Sequence, residues 1–251
     1  MRPSFALRLG SAGLLHLCAV VFYAGLAFAA EPFRVLAPSE PSRSPAVLIV
    51  ARCSGFAVRN SVNHYEERAR ELQAVGYFVV FVDYLSRRQL TDCGGGRYVT
   101  HAQVAADIHE AARWIQAKPD VDPSKIFVIG WSYDAGGVLA ALRTLPPESP
   151  PLLAKAAMYY PDCRRAMPWS STSVSALMLM GAMDQVALPG LCDPVVKAVP
   201  PNGLRTVLYP NARHGFDMRG LPERADQPTG TPGYNAEVAN ASWAVVLDFL
   251  K

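Results

Sequence analysis

Short apolar runs alternate along this chain with longer stretches of helical spacing. The runs lie at residues 46–51, 77–83, 126–130, 154–160, 176–181 and 204–209. They are nearly continuous rather than alternating in and out, as in parallel strands covered on both faces. Residues 33–36 add a candidate edge strand. Segments 64–75, 101–118, 135–145 and 194–199 read as helices, and 235–250 as a last one. In the second of these Val104, Ile108, Ala111 or Ala112, and Ile115 recur at helical spacing, and Pro119 stops it. Such alternation predicts a single α/β domain, a mostly parallel, doubly wound sheet with right-handed crossovers and no large lid. No internal repeat is visible. The stretch 218–233, rich in proline, glycine and charge, reads as a long surface loop.

Composition agrees with one globular domain: the 251 residues are 51% hydrophobic and 18% charged. The first thirty stand apart. Arg2 and Arg8 give a positive start, residues 11–28 are uncharged and mostly apolar, and Ala27-Phe28-Ala29 precedes the polar Glu31. That is the layout of a cleaved export signal over 1–29, with the mature domain spanning 30–251; a retained membrane anchor is the alternative. Cys18 is not a convincing lipidation site, because the bulky Leu17 precedes it. Without Arg2 and Arg8 the chain has 22 basic against 21 acidic residues. That near balance gives no footprint for nucleic acid, and signal cleavage leaves no stable membrane span. A periplasmic or secreted location follows.

Export changes the reading of the cysteines. Cys53, Cys93, Cys163 and Cys192 remain, an even number in an oxidising compartment. Cys53 and Cys93 follow neighbouring predicted strands, as do Cys163 and Cys192. Loops leaving the same edge of adjacent strands can bring Cα atoms within bridging distance. The expected pairs are therefore Cys53–Cys93 and Cys163–Cys192.

The chemistry centres on residues 125–137, KIFVIGWSYDAGG. A β-branched run ends in Gly130-Trp131-Ser132, and small residues then open a helix. Such a turn pushes a serine beyond the strand end and aims helix N–H groups at its oxygen. One position departs from the G-x-S-x-G pattern, with Asp134 where glycine is usual. Ligands of open α/β sheets bind beyond the carboxyl ends of the strands. Asp184 follows the strand at 176–181 and His214 the strand at 204–209, in the order Ser, Asp, His of α/β-hydrolase triads. A serine hydroxyl needs an imidazole to take its proton, and the imidazole needs a carboxylate to orient it. Ser132, His214 and Asp184 fit those three roles. His64, His101 and His109 lack metal-ligand spacing and read as helix-surface residues, so no metal is expected.

Over residues 45–250 the chain resembles the dienelactone hydrolase family of α/β-hydrolases. The likeness rests on VLIVARCSGF, GYFVVFVDY, VDPSKIFVIGWSY, LMGAMD and YPNARHGFD with the terminal helix. It implies an oxyanion hole from two backbone N–H groups, those of Tyr133 and Cys53, and no organic cofactor. It also implies a basic residue for an anionic substrate near Arg87 and Arg88. Ala51-Arg52 stands where serine relatives commonly carry His-Gly. Arg52 at the rim suits a substrate carboxylate or a pairing with Asp134, and Tyr133 suits the pocket wall. The expected activity is cleavage of a small ester, lactone or thioester through an acyl-enzyme on Ser132. A peptidase or acyltransferase on the same scaffold is one alternative. A non-catalytic secreted relative, impaired by Asp134 and Arg52, is the other.

Overall fold

The computed structural model describes residues 31–251 except 41, 57–58, 148, 167, 170–173, 201 and 224–230, and except the side chains of 59–62. The proposed signal segment, with Cys18, lies outside the described residues. Seven strands form one sheet: β1 (Arg34–Leu36), β2 (Ser44–Val50), β3 (Phe78–Phe81), β4 (Val121–Trp131), β5 (Lys155–Tyr159), β6 (Ser175–Gly181) and β7 (Leu204–Tyr209). Their spatial order is β1-β3-β2-β4-β5-β6-β7. Only β1 runs antiparallel, on the edge beside β3; the other neighbours pair in parallel. The helices are α1 (Arg59–Ala74), α2 (His101–Gln116), α3 (Tyr133–Arg143), α4 (Asp193–Ala198) and α5 (Ala236–Leu250).

Continuous apolar strands follow from a sheet that is buried twice. Leu48, Val50, Val80, Val128 and Met178 face one way, against Val104 and Ile108 of α2, Val138 and Leu142 of α3, and Val195 of α4. Val47, Ile49, Val79, Ile129 and Leu179 face the other, against Tyr65 and Leu72 of α1 and Trp243 and Val246 of α5. Burying each such side chain contributes about 1.5–3 kcal/mol. Local signals set the helix starts. Thr100 and Gln103 form a reciprocal capping box on α2, and the Asn235 side chain accepts from the Val238 N–H on α5.

The described structure differs from expectation at two histidines. His64 is 2% and His109 9% exposed, so neither is a surface residue. His109 Nε2 lies 3.0 Å from the Ala141 carbonyl oxygen, joining α2 to α3. Among the described residues no group of three or more His, Cys, Asp or Glu is placed to hold a metal, and no helix is long and apolar enough to cross a membrane.

Candidate active site

The carboxyl ends of β4, β6 and β7 bring three side chains together. Ser132 directly follows β4 with φ +57° and ψ −125°, a conformation that non-glycine residues rarely adopt. Its neighbours hold it there. Ser132 N–H donates to the Tyr159 carbonyl at 2.9 Å, and its own carbonyl accepts from Asp162 N–H at 3.1 Å and Gly136 N–H at 3.4 Å. Close approach explains two of the small residues nearby. A Cβ on Gly130 would sit 2.7 Å from Val138 Cγ2, and one on Gly136 would sit 2.7 Å from the Asp162 carbonyl oxygen.

Ser132 Oγ lies 2.8 Å from His214 Nε2, and His214 Nδ1 lies 2.8 Å from Asp184 Oδ2. A carboxylate can only accept, so Nδ1 carries the proton and Nε2 is left to accept from the serine hydroxyl. The second Asp184 oxygen accepts from the N–H groups of Val186 and Ala187, each at 2.8 Å, which fixes the carboxylate. His214 and Asp184 are 7% and 2% exposed. The β6 end presses against the His214 loop, because the Ala212 carbonyl accepts from Met183 N–H at 3.0 Å.

The two candidate oxyanion donors are free to act. Tyr133 N–H is the first of α3 and Cys53 N–H belongs to the loop after β2; neither has a hydrogen-bond partner among the described residues. The adjacent Arg52 N–H is taken by the Tyr65 hydroxyl at 2.9 Å. Both disulfides are present as expected, Cys53–Cys93 with Cα atoms 5.0 Å apart and Cys163–Cys192 with 5.1 Å. The Tyr133 hydroxyl donates to the Val99 carbonyl at 2.9 Å, in the loop that Cys93 anchors.

Asp134 departs from expectation. It does not pair with Arg52: it is fully buried, and its Oδ1 accepts from the Tyr84 hydroxyl at 2.7 Å. Burial pushes its carboxyl well above the usual carboxylate range, against the Tyr84 hydrogen bond, which favours the charged form. A buried side chain held by Tyr84 does not line a substrate pocket. Nor is Asp134 strained, since it sits inside α3 and the left-handed backbone belongs to Ser132. Arg87 is also engaged elsewhere. Its guanidinium bonds Glu110 at 2.8 Å and lies 3.7 Å from Asp107, both on α2, while Arg88 reaches Asp107 at 2.8 Å. Tyr84, Tyr160 and Asp217 escaped the sequence reading. Asp217 stood in plain view within RHGFD, but nothing local says where its side chain goes.

A parallel-rich sheet, a serine on a left-handed elbow and a Ser–His–Asp hydrogen-bond chain define an α/β-hydrolase. The model of the dienelactone hydrolase family matches residues 33–251, and the chain belongs to that family. It is therefore a hydrolase acting on esters. No protein among the curated sequences matches the chain. Solved structures do, at the level of the fold. A protein of Klebsiella pneumoniae subsp. pneumoniae MGH 78578 assigned as a dienelactone hydrolase is 19% identical, with 88% of this chain and 99% of that one covered at a TM-score of 0.63. A dienelactone hydrolase-like promiscuous phosphotriesterase from metagenomic libraries is 20% identical, with 86% and 87% covered and a TM-score of 0.60. The thermophilic esterase of Thermogutta terrifontis, with propionate bound, is 16% identical, with 86% and 89% covered and a TM-score of 0.60.

Proposed function

We propose that this chain is an exported serine hydrolase that cleaves a small ester, lactone or thioester through an acyl-enzyme on Ser132. The observation that carries the reading is the unbroken chain Ser132 Oγ, His214, Asp184, with both links at 2.8 Å. In the first half-reaction Ser132 Oγ attacks the acyl carbon while His214 Nε2 takes its proton. The resulting oxyanion accepts from the N–H groups of Tyr133 and Cys53, and each such donor lowers the barrier by about 2.7–4 kcal/mol. The C–O or C–S bond to the leaving group breaks, and the leaving group takes the Nε2 proton. Water then repeats the cycle: His214 takes a water proton, the hydroxide attacks the acyl carbon, and Ser132 leaves with that proton. Asp184 holds the Nδ1 proton throughout and stabilises the imidazolium.

The non-catalytic reading rested on a carboxylate repelling the oxyanion from position 134. Burial raises the Asp134 carboxyl well above its usual range and so favours its uncharged form, which weakens the argument. Fold and triad do not choose the acyl acceptor, so peptidase and acyltransferase activities remain the alternatives to be assayed. Export, to the periplasm or beyond, is supported by the pattern of residues 1–29 and by two disulfides in the folded domain. The test is labelling by a fluorophosphonate and turnover of p-nitrophenyl esters. Both are expected in the wild type and absent in Ser132→Ala; a wild type that does neither overturns the reading. The N-terminus of the exported protein tests the signal, and an intact Met1 would sink it.

A further inference from the structure

The buried carboxylate of Asp217 lies behind the candidate site, against three residues that adjoin its parts. Asp217 is 1% exposed and follows His214 by three residues. Its Oδ1 accepts from the Tyr160 hydroxyl at 2.7 Å, and its Oδ2 accepts from Trp131 Nε1 at 2.8 Å. His64 Nε2 lies 3.2 Å from that same Oδ2. Burial opposes ionisation here, but the neighbouring His64 imidazole and the bonds from Tyr160 and Trp131 outweigh it and hold the carboxyl below its usual range.

Each of these three neighbours belongs to a different part of the surroundings. Trp131 is the residue before Ser132. Tyr160 packs its ring 4.6 Å from the His214 ring, and its backbone sits at φ +37°. His64 lies on α1 beside Tyr65, whose hydroxyl occupies the Arg52 N–H next to the candidate oxyanion donor of Cys53. His64 also packs edge-on against Trp131, and Trp131 stacks on Tyr159 at 5.4 Å. An apolar aromatic shell alone would let these rings slide. A single charged acceptor with directional bonds does not.

We propose that Asp217 is a positioning residue that sets the placement of His214 relative to Ser132, by bonding the residue before the nucleophile and the ring that packs on the base. The proposal rests on the reading of Ser132 and His214 as nucleophile and base. It adds a residue that touches no reacting atom.

The experiment takes the full mature protein and the variants Asp217→Asn, Trp131→Phe and Tyr160→Phe, each checked for folding by circular dichroism. Two readouts are used: kcat and KM on p-nitrophenyl acetate, and the imidazole resonances of His214 by NMR. The groups facing that ring are Ser132, Asp184 and Tyr160; those facing Asp217 are His64, Trp131 and Tyr160. Asp217→Asn is expected to lower kcat on the order of tenfold or more with KM unchanged, as for an interaction made only in the transition state, and to shift or broaden the His214 signals. Trp131→Phe combined with Tyr160→Phe should lose no more than Asp217→Asn alone, because both act through one carboxylate. A folded Asp217→Asn with wild-type kcat and unchanged His214 signals overturns the proposal, as does a loss of activity that merely follows the unfolded fraction. Should Asp217→Asn not fold, Tyr160→Phe, which removes one oxygen and no carbon, is read the same way. Failure of the wild type to label at Ser132 would overturn the hydrolase reading by itself, while the NMR comparison would still decide the role of Asp217.

Discussion

The Tyr84 hydroxyl donates to Asp134 at 2.7 Å, fifty residues away in sequence and two residues after the candidate nucleophile. The acceptor is fully buried, and its second oxygen has no hydrogen-bond partner among the described residues. Removing the donor with Tyr84→Phe is expected to destabilise the fold by about 1–3 kcal/mol, the usual effect of stranding a buried polar group. Urea denaturation measures it, and an unchanged midpoint would count against the bond.

Asp134 also makes stability depend on pH. Its folded carboxyl is raised above the ordinary 3.8, so the folded state keeps a proton that the unfolded chain releases. Its contribution is therefore whole at pH below about 3.8 and is lost as pH rises through the folded value, by up to about 1.4 kcal/mol per unit. Asp134→Asn cannot lose a proton, so its stability relative to wild type should climb as pH rises above the ordinary 3.8. Parallel pH profiles for the two proteins would sink the idea. The same variant should retain kcat, since burial favours the uncharged form of the wild-type group.

The candidate triad predicts a steep and non-additive loss of rate. Ser132→Ala and His214→Ala should each lower kcat by about 10⁶-fold, with the double variant little worse, because the pair acts as a unit. Asp184→Asn should lose about 10⁴-fold through the wrong imidazole tautomer. Additive losses measured under saturating substrate would mean that the residues do not work together.

Gly181 ends β6 where a Cβ would meet the Ala212 carbonyl oxygen at 2.3 Å and push the Asp184 strand from the His214 loop. Gly181→Ala should destabilise by about 1–3 kcal/mol. It should also lower kcat more than KM changes, a split that steady-state kinetics reads directly.

The disulfides should behave alike in stability and differently in rate. Their separations of 40 and 29 residues predict a similar chain-entropy contribution, roughly 4 kcal/mol each. Only Cys53–Cys93 joins the loop of one candidate oxyanion donor to the loop whose Val99 carbonyl holds Tyr133, the other donor. Replacing that pair by serines should therefore depress kcat in the folded protein, whereas replacing Cys163 and Cys192 should not. Equal kcat values for the two variants would refute the distinction.

The sequence disclosed what depends on neighbours in the chain or on strand order. The apolar runs marked β2 to β7 because a twice-buried sheet leaves no room for polar alternation, and the residues just past the strand ends supplied Ser132, Asp184 and His214. Disulfide partners followed from which strands adjoin. Side chains that travel across the core were not legible in this way. The partner of Asp134 lies on another strand end, so Arg52, the nearest unexplained charge, looked more attractive than Tyr84. His64 seemed exposed because a polar residue on a helix usually is, and only the position of Asp217 makes its burial sensible. The helix expected from residue 135 begins at Tyr133, so Asp134 lies inside α3 and the positive φ falls on Ser132.

The candidate nucleophile is held from outside its own element. Its amide is clasped by the carbonyl ending β5 and its carbonyl by the amide of Asp162, so strand five works as a jig for a serine carried by strand four. That clasp fixes the backbone of Ser132 and leaves its hydroxyl to His214. Selection can lengthen, shorten or recolour loops that carry none of these contacts, and so exchange one substrate for another, without resetting the backbone of Ser132.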